Sequence, residues 1–274
     1  MNNIIRIYPI PSQTVPLRGA YLSHKLRELA KDKNEPFIYA NFIKSIDGRI
    51  AISNPSGSGF IIPKTITNQN DWRLFQELVA QADLILSSGR YLRDLAEGRA
   101  QEILQINDPR YADLQIWREK RGLTAQPDIA IISSSLDFSI PLILTKGERK
   151  VVIITTSSAD PKRIEEIQKQ SIQVIVAGNK NVEGALLKQA LSALGYRTIC
   201  SAGGPKILHL LASGRVLNRL YLTNANRLLG GRPFSGILEG SLLDPPINLK
   251  LNEIYLDQDG LDGFGQLFVS YDRA

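Results

Sequence analysis

From residue 82 to residue 223 the chain alternates short apolar runs with stretches of helical spacing, and this alternation constrains the fold more than any other feature. Ala82–Ser87 reads as a strand that runs into a helix opening at Ser88-Gly89-Arg90. Ile129–Ile132 and Lys150–Thr155 read as buried strands, Pro161–Gln170 as a helix, and Gln173–Val176 as the next strand. Val182–Leu194 has the spacing of an amphipathic helix ended by Gly195. Thr198–Ser201 is strand-like, Pro205–Ala212 is helical up to Gly214, and Arg219–Thr223 is a strand again. Apolar strands separated by helices build a mostly parallel central sheet with helices on its faces. The last third changes style. Leu249–Asp257 and Gln266–Tyr271 read as strands joined by the Gly-rich loop Asp259–Gly265, which predicts an antiparallel C-terminal hairpin at one sheet edge. The fold class is therefore α/β.

Upstream, Tyr21–Asp32 has helical spacing through Leu22, Leu26, Leu29 and Ala30 and is stopped by Pro36. Residues 1–36 are expected to form an N-terminal extension and residues 37–274 one domain, with no internal repeat or linker. Phe37–Ile43 reads as a strand, and 53–64, rich in Ser, Gly and Pro, as a loop. Asn70 or Asp71 is expected to cap a helix carrying Trp72, Phe75, Leu78 and Val79. Residues 96–127 are polar, contain Asp108-Pro109 and a helical stretch Tyr111–Lys120, and read as an insertion or a mobile flap.

Composition excludes several function classes. The net charge of +6 invites a nucleic-acid reading, but basic residues are mixed with acids, as in Arg163-Ile164-Glu165-Glu166, and form no run with interleaved aromatics. Cys200 is the single cysteine, so no internal disulfide is expected. His24 and His209 stand at no ligand-like spacing from it, so no metal site is expected. No window approaches the roughly 18 apolar residues of a membrane span, and the N-terminus, broken by Pro9, Pro11 and Pro16, lacks a signal-peptide core. A cytoplasmic enzyme with a small-molecule substrate fits these facts, without a nucleic-acid or membrane partner.

Four segments carry chemistry. In Ile85-Leu86-Ser87-Ser88-Gly89-Arg90 a strand ends in small residues and a helix begins at once. Such a start offers free N–H groups at the positive end of the helix dipole, and glycine lets a phosphate approach. Ile199-Cys200-Ser201-Ala202-Gly203-Gly204-Pro205-Lys206 repeats the pattern, with proline suited to the first helical turn and Lys206 adding a cation. Each alone is equally readable as an ordinary strand–helix turn. Neither is a GxGxxG fingerprint, so an ordinary Rossmann domain is not supported. Together they suit a dinucleotide pyrophosphate. Ser133, Ser134 and Ser135 end the strand Ala130-Ile131-Ile132, where hydroxyls suit a ribose or its 2′-phosphate but also form routine turns. Finally, Asn41-Phe42-Ile43-Lys44-Ser45-Ile46-Asp47-Gly48-Arg49 is a strand turning at Asp-Gly, where Asp47 is equally a turn former.

The set resembles the reductase domain of the bacterial deaminase/reductases of riboflavin biosynthesis. Ser45-Ile46-Asp47-Gly48-Arg49-Ile50-Ala51 is close to that family's S-L-D-G-K/R-x-A. Ala82-Asp83-Leu84-Ile85-Leu86-Ser87-Ser88-Gly89 resembles its ADAILVG, Ala202–Leu208 its EGGPxL, and Leu229-Gly230-Gly231 its LLGG, in the same order across about residues 37–272. The resemblance implies a dihydrofolate-reductase-like fold, NADPH, a homodimer, and hydride transfer from nicotinamide C4 to the sugar of a phosphoribosylamino-pyrimidine, as in 5-amino-6-(5-phosphoribosylamino)uracil reductase. No covalent nucleophile is implied, and catalysis would rest on proximity and orientation. Carried across, Ile43 lines the nicotinamide pocket. Ser88, Gly89, Tyr91, Gly203, Gly204, Pro205, Lys206, Ile207 and Leu208 cradle the cofactor, with Ser133 and Ser134 near its adenosine ribose. Asn41, Ser45 and Asp47 border the substrate. The chain departs from the pattern at Ala202, Tyr91 and Val79, where the family usually has Glu, Thr and Arg, and the DNP loop is replaced by Leu92–Ala96 and the insert. The H-x-E and P-C-x-x-C signature of the zinc deaminase domain is not found. A diverged reductase of another pyrimidine- or pterin-like compound, or a non-catalytic nucleotide-binding relative, are the alternatives.

Overall fold

The computed structural model describes residues 2–33, 35–54, 57, 59–146 and 148–274. Pro55, Ser56 and Ser58 of the expected 53–64 loop lie outside the described residues. The elements in chain order begin with β1 (Asn3–Tyr8), β2 (Gln13–Pro16), α1 (Leu26–Lys33), β3 (Phe37–Ser45), β4 (Ala51–Ser53) and β5 (Phe60–Ile61). Next come α2 (Gln69–Ala80), β6 (Leu84–Ser88), α3 (Gly89–Ala96), α4 (Ala112–Glu119), β7 (Asp128–Ile132), α5 (Leu142–Thr145) and β8 (Val151–Thr155). The chain continues through α6 (Pro161–Gln168), β9 (Gln173–Val176), α7 (Gly184–Ala193), β10 (Thr198–Ser201) and α8 (Pro205–Ser213). It ends with β11 (Arg219–Ala225), β12 (Phe234–Ser235), β13 (Leu249–Asp257) and β14 (Gln266–Arg273).

Among the described residues, eleven strands form one sheet in the order β2-β1-β13-β14-β11-β3-β10-β6-β7-β8-β9. The seven from β11 to β9 are parallel, and the four from β14 to β2 are antiparallel to their neighbours. Strand periodicity sorts the core into two layers. Tyr39, Ile85, Ile129, Ile131, Ile153, Cys200 and Tyr221 face α1, α2, α3, α4 and α6. Ile38, Ala40, Leu84, Leu86, Ala130, Val152 and Ile199 face α7 and α8. The parallel, mostly hydrophobic strands and the C-terminal antiparallel pair are those the alternation predicts.

Four expectations are corrected. The hairpin β13–β14 does not form the edge, because β1 pairs with β13 and β2 with β1, so that β2 is outermost. The N-terminal segment thus contributes two strands, and Glu77 of α2 ties down the turn after β2 by accepting hydrogen bonds from the N–H groups of Gly19, Tyr21 and Leu22. The expected helix from Tyr21 begins only at Leu26, after a short 3₁₀ turn. The cap of α2 is Asn68, whose side chain accepts from the N–H groups of Asn70 and Asp71 at 3.0 Å each. Residues 96–127 are no flap. Leu104 and Leu114 are fully buried in the main core, and the buried Arg118 donates to the carbonyls of Ala80, Ala82 and Thr124. Its cation thereby meets the negative end of α2.

Candidate functional site

β6 and β10 are adjacent and parallel, with Ser201 opposite Leu86, and the Ala202 N–H extends the pairing to the Leu86 carbonyl at 2.9 Å. The helices after them diverge: α3 packs on one face of the sheet and α8 on the other. From β6 the chain winds outward through β7, β8 and β9, whereas after β10 it crosses β3 to β11. The gap beyond β6 and β10 is therefore a topological switch point, the crevice in which open α/β sheets place ligands. The turns at Gly89 and at Gly203–Gly204, read separately in the sequence, stand side by side at its mouth.

Among the described residues no side chain caps α3 or α8, and none caps α4, α5 or α7, whereas Asn68 caps α2 and Asp160 caps α6. The N–H groups of Gly203 and Gly204 have no partner among the described residues. A Cβ on Gly204 would meet nothing within 4 Å, so this end of α8 faces open space. Gly203 is a glycine for a different reason: its Cβ would fall 2.5 Å from Cδ1 of Ile207. Gly89 is similarly hemmed, with the Phe138 ring at 2.9 Å and Ser133 Oγ at 3.3 Å from a Cβ built there. Lys206 is exposed and enters no ion pair among the described residues. Ser201, at the end of β10, is buried, and its hydroxyl is without a partner. Free amides, one cation and an unsatisfied hydroxyl make a donor set suited to a diphosphate.

Beyond β10, β3 runs on beside β11, pairing Asn41 with Tyr221, Ile43 with Thr223 and Ser45 with Ala225. At its end Gly48 has φ +85°, a conformation that favours glycine. The turn is closed by Asp47. One carboxylate oxygen accepts from the Ser45 hydroxyl, and the other from Arg49 Nη1 at 2.7 Å and the N–H groups of Leu229 and Gly230 at 3.2 and 2.8 Å. The Ser45 hydrogen bond, then those backbone bonds and Arg49, hold its pKa down at about 2. Two motifs far apart in sequence, Ser45–Ala51 and Leu229–Gly231, are thus one structure. On the α2 side, Asp71 is 8% exposed and accepts the Thr223 hydroxyl at 2.6 Å. Burial, opposed only by that bond, pushes its pKa up to about 6.

A family model described as the RibD C-terminal domain matches residues 36–261. The chain belongs to the RibD C-terminal domain family. It is 23% identical over 223 residues to the 2,5-diamino-6-ribosylamino-4(3H)-pyrimidinone 5′-phosphate reductase of Methanothermobacter thermautotrophicus, which covers 80% of this chain and 93% of that one. A pyrimidine reductase-like protein from Corynebacterium diphtheriae superposes with a TM-score of 0.65 at 23% identity, over 88% of this chain and 93% of the other. The diaminohydroxyphosphoribosylaminopyrimidine deaminase/5-amino-6-(5-phosphoribosylamino)uracil reductase of Thermotoga maritima does so with a TM-score of 0.57 at 11% identity. That match takes in 91% of this chain but 60% of that one. The fold is the dihydrofolate-reductase-like α/β fold implied by the motifs.

In this RibD C-terminal domain the residues singled out by sequence share the carboxyl-end edge of the sheet but differ in what they offer. Ile207 and Leu208 are buried in the α8 layer, and both N–H groups already bond the Gly204 carbonyl. Pro205 begins α8 and has no N–H to give. Ser88 ends β6, and Tyr91 turns its ring to the main core with its hydroxyl on the Gln101 carbonyl. Ser133 Oγ accepts the Leu136 N–H at 3.1 Å, a turn contact, while Ser134 is exposed. Asn41 and Ile43 are half-buried on the α2 side. Val79, where the family usually has Arg, is fully buried in the core. Sequence reasoning did not single out Asp71. Its one signal was a carboxylate on the apolar side of a helix, four residues before Phe75.

Proposed function

We propose that this chain is an NADPH-dependent pyrimidine reductase, acting on a phosphoribosylamino-pyrimidine. The observation that carries the reading is the meeting of two uncapped helix starts on opposite faces of adjacent parallel strands. The pyrophosphate fits the amides at Gly89 and Gly203–Gly204, with Lys206 as counter-charge and Ser88 and Ser201 at the strand ends. Ser133 and Ser134, one strand further out, suit the adenosine ribose and its 2′-phosphate. That leaves the nicotinamide toward β3, against Ile43. When bound, the cofactor supplies the hydride delivered to the sugar C1.

The chain's own work is placement. Ile43 offers an apolar surface, Asn41 an amide without a partner among the described residues, and the Ser45–Asp47 turn a rigid border. Fixing two reactants in one cleft converts a bimolecular reaction into one between oriented neighbours. Family membership and the curated reductase relative support the substrate class. The resemblance supports a homodimer, and the exposed Leu228, Leu238 and Leu242 offer apolar surface for it. No helix among the described residues is long and apolar enough to cross a membrane, in keeping with a cytoplasmic setting. The test is oxidation of NADPH, followed by nicotinamide absorbance, with a ribosylamino-pyrimidine phosphate. Turnover with NADPH preferred over NADH supports the reading. Cofactor binding without turnover on any ribosylamino-pyrimidine would leave a non-catalytic relative instead.

A further inference from the structure

A buried carboxyl with no cation beside it is an expensive arrangement, and Asp71 is one. Its only hydrogen-bond partner among the described residues is the Thr223 hydroxyl on one oxygen. The second oxygen has none among the described residues, and the residue keeps 8% of its surface exposed, so the side chain is not sealed off completely. The opening is located by topology. α2 starts at the carboxyl-end edge of the sheet, and Thr223 pairs with Ile43 of β3, next to the pair Asn41–Tyr221 on the same face. Asn41 has no side-chain partner among the described residues. The Tyr21 hydroxyl, on the same side of the sheet, is fully enclosed and has no partner among the described residues, so it does not line the opening. Phe75, one helical turn after Asp71, is half-buried and presents a ring. An unsatisfied acceptor and a free amide on one face of the sheet, with an aromatic ring one helical turn away, suit a flat polar ring.

The substrates named for two relatives differ at one place on such a ring. The Methanothermobacter thermautotrophicus reductase is named for a pyrimidinone with an amine at position 2, and the Thermotoga maritima enzyme for a uracil, with a carbonyl there. The amine and the adjacent ring N–H form a side-by-side donor pair that a carboxylate matches with two parallel hydrogen bonds. A carbonyl at that position turns lone pairs against the carboxylate and is rejected. We propose that Asp71, oriented by Thr223, is the specificity-determining residue of this cleft and selects a 2-aminopyrimidin-4-one ring over a uracil ring. This rests on the pyrimidine-reductase reading, with which it shares the cleft.

The experiment uses the full chain and measures three quantities for wild type, Asp71→Asn and Thr223→Val. These are NADPH binding by nicotinamide fluorescence, calorimetric binding of the 2,5-diamino-pyrimidinone and uracil forms of the ribosylamino phosphate, and kcat/KM for each. Wild type is expected to favour the diamino form by at least about 100-fold. Asp71→Asn, whose amide can donate to a carbonyl, should narrow that ratio at least about tenfold, chiefly through KM, with NADPH binding unchanged. Thr223→Val, which keeps the carboxylate but frees it, should narrow it less. Equal binding of the two rings by wild type, or an unchanged ratio in Asp71→Asn, overturns this inference and leaves the reductase reading standing. Loss of NADPH binding in wild type, or binding of neither ring, overturns both.

Discussion

Two aspartates lie near the carboxyl ends of β3 and β11, and their surroundings are opposite. Asp47, in the turn after β3, is held ionised by Ser45, Arg49 and two backbone N–H groups. Asp71, on the wall made by α2, has one hydroxyl and otherwise burial. The first carboxylate has its acceptor capacity filled by the protein and joins two loops. The second keeps an oxygen free at a cost to stability. At the helix starts the distinguishing feature is the pair of free N–H groups at Gly203 and Gly204, with open space beside Gly204, and not the missing cap, which α3 and α8 share with α4, α5 and α7. Groups satisfied from within hold the fold, and groups left unsatisfied at the carboxyl-end edge mark where a ligand is expected.

The contrast is open to direct attack. The largest effect is expected from Gly204→Asp. Its backbone is extended at φ −78°, and open space surrounds the Cβ position, so the substitution fits and aspartate is a favourable cap. It places a negative charge where the pyrophosphate is proposed to sit. NADPH affinity should fall at least about 100-fold, roughly 3 kcal/mol, while thermal stability holds or rises. Unchanged affinity would remove α8 from the cradle.

Asp71→Asn comes next. The folded carboxyl titrates near 6 instead of the usual 3.8. Below about pH 3 both folded and unfolded forms are protonated and nothing is lost. As pH rises the unfolded chain ionises first, so the native state loses up to about 3 kcal/mol by pH 7 to 8. The amide variant should therefore unfold at higher denaturant than wild type at pH 8 and at the same denaturant near pH 3. A stability loss at pH 8 would mean that Asp71 is a structural residue.

Asp47→Asn should act in the reverse sense. Its folded pKa is about 2, so its contribution is complete above pH 4 and fades as pH falls toward 2. Denaturant titration at neutral pH should show a loss of about 1 to 2 kcal/mol after allowance for solvent screening, converging with wild type near pH 2. The smallest effect is expected from Asn68→Ala, which removes the α2 cap. It should cost about 1 kcal/mol in thermal unfolding and leave NADPH affinity as it was.

Much of this architecture was legible because periodicity is local. The parallel strands, their helices and the two glycine turns can be read within windows of a dozen residues, and so can the family motifs. What escaped was set by distant partners. β1 is a short strand whose pairing with β13 links residues 5 and 256, so nothing near it signals a sheet. The polar insert hides an apolar face built from Leu104, Tyr111 and Leu114 and a buried Arg118 whose acceptors lie on α2 and after it. Asp71 looked like a helix cap because caps are common at that position. Its partner Thr223 is 152 residues away, and only the fold brings them together.

The helix starts at Gly89 and Gly203–Gly204 are proposed to form one nucleotide cradle. Titration of the wild-type chain with NADPH and NADH, followed by nicotinamide fluorescence, examines that cradle itself. Saturable binding with NADPH favoured is the expected result, and absence of binding to either dinucleotide at millimolar concentration would rule the cradle out.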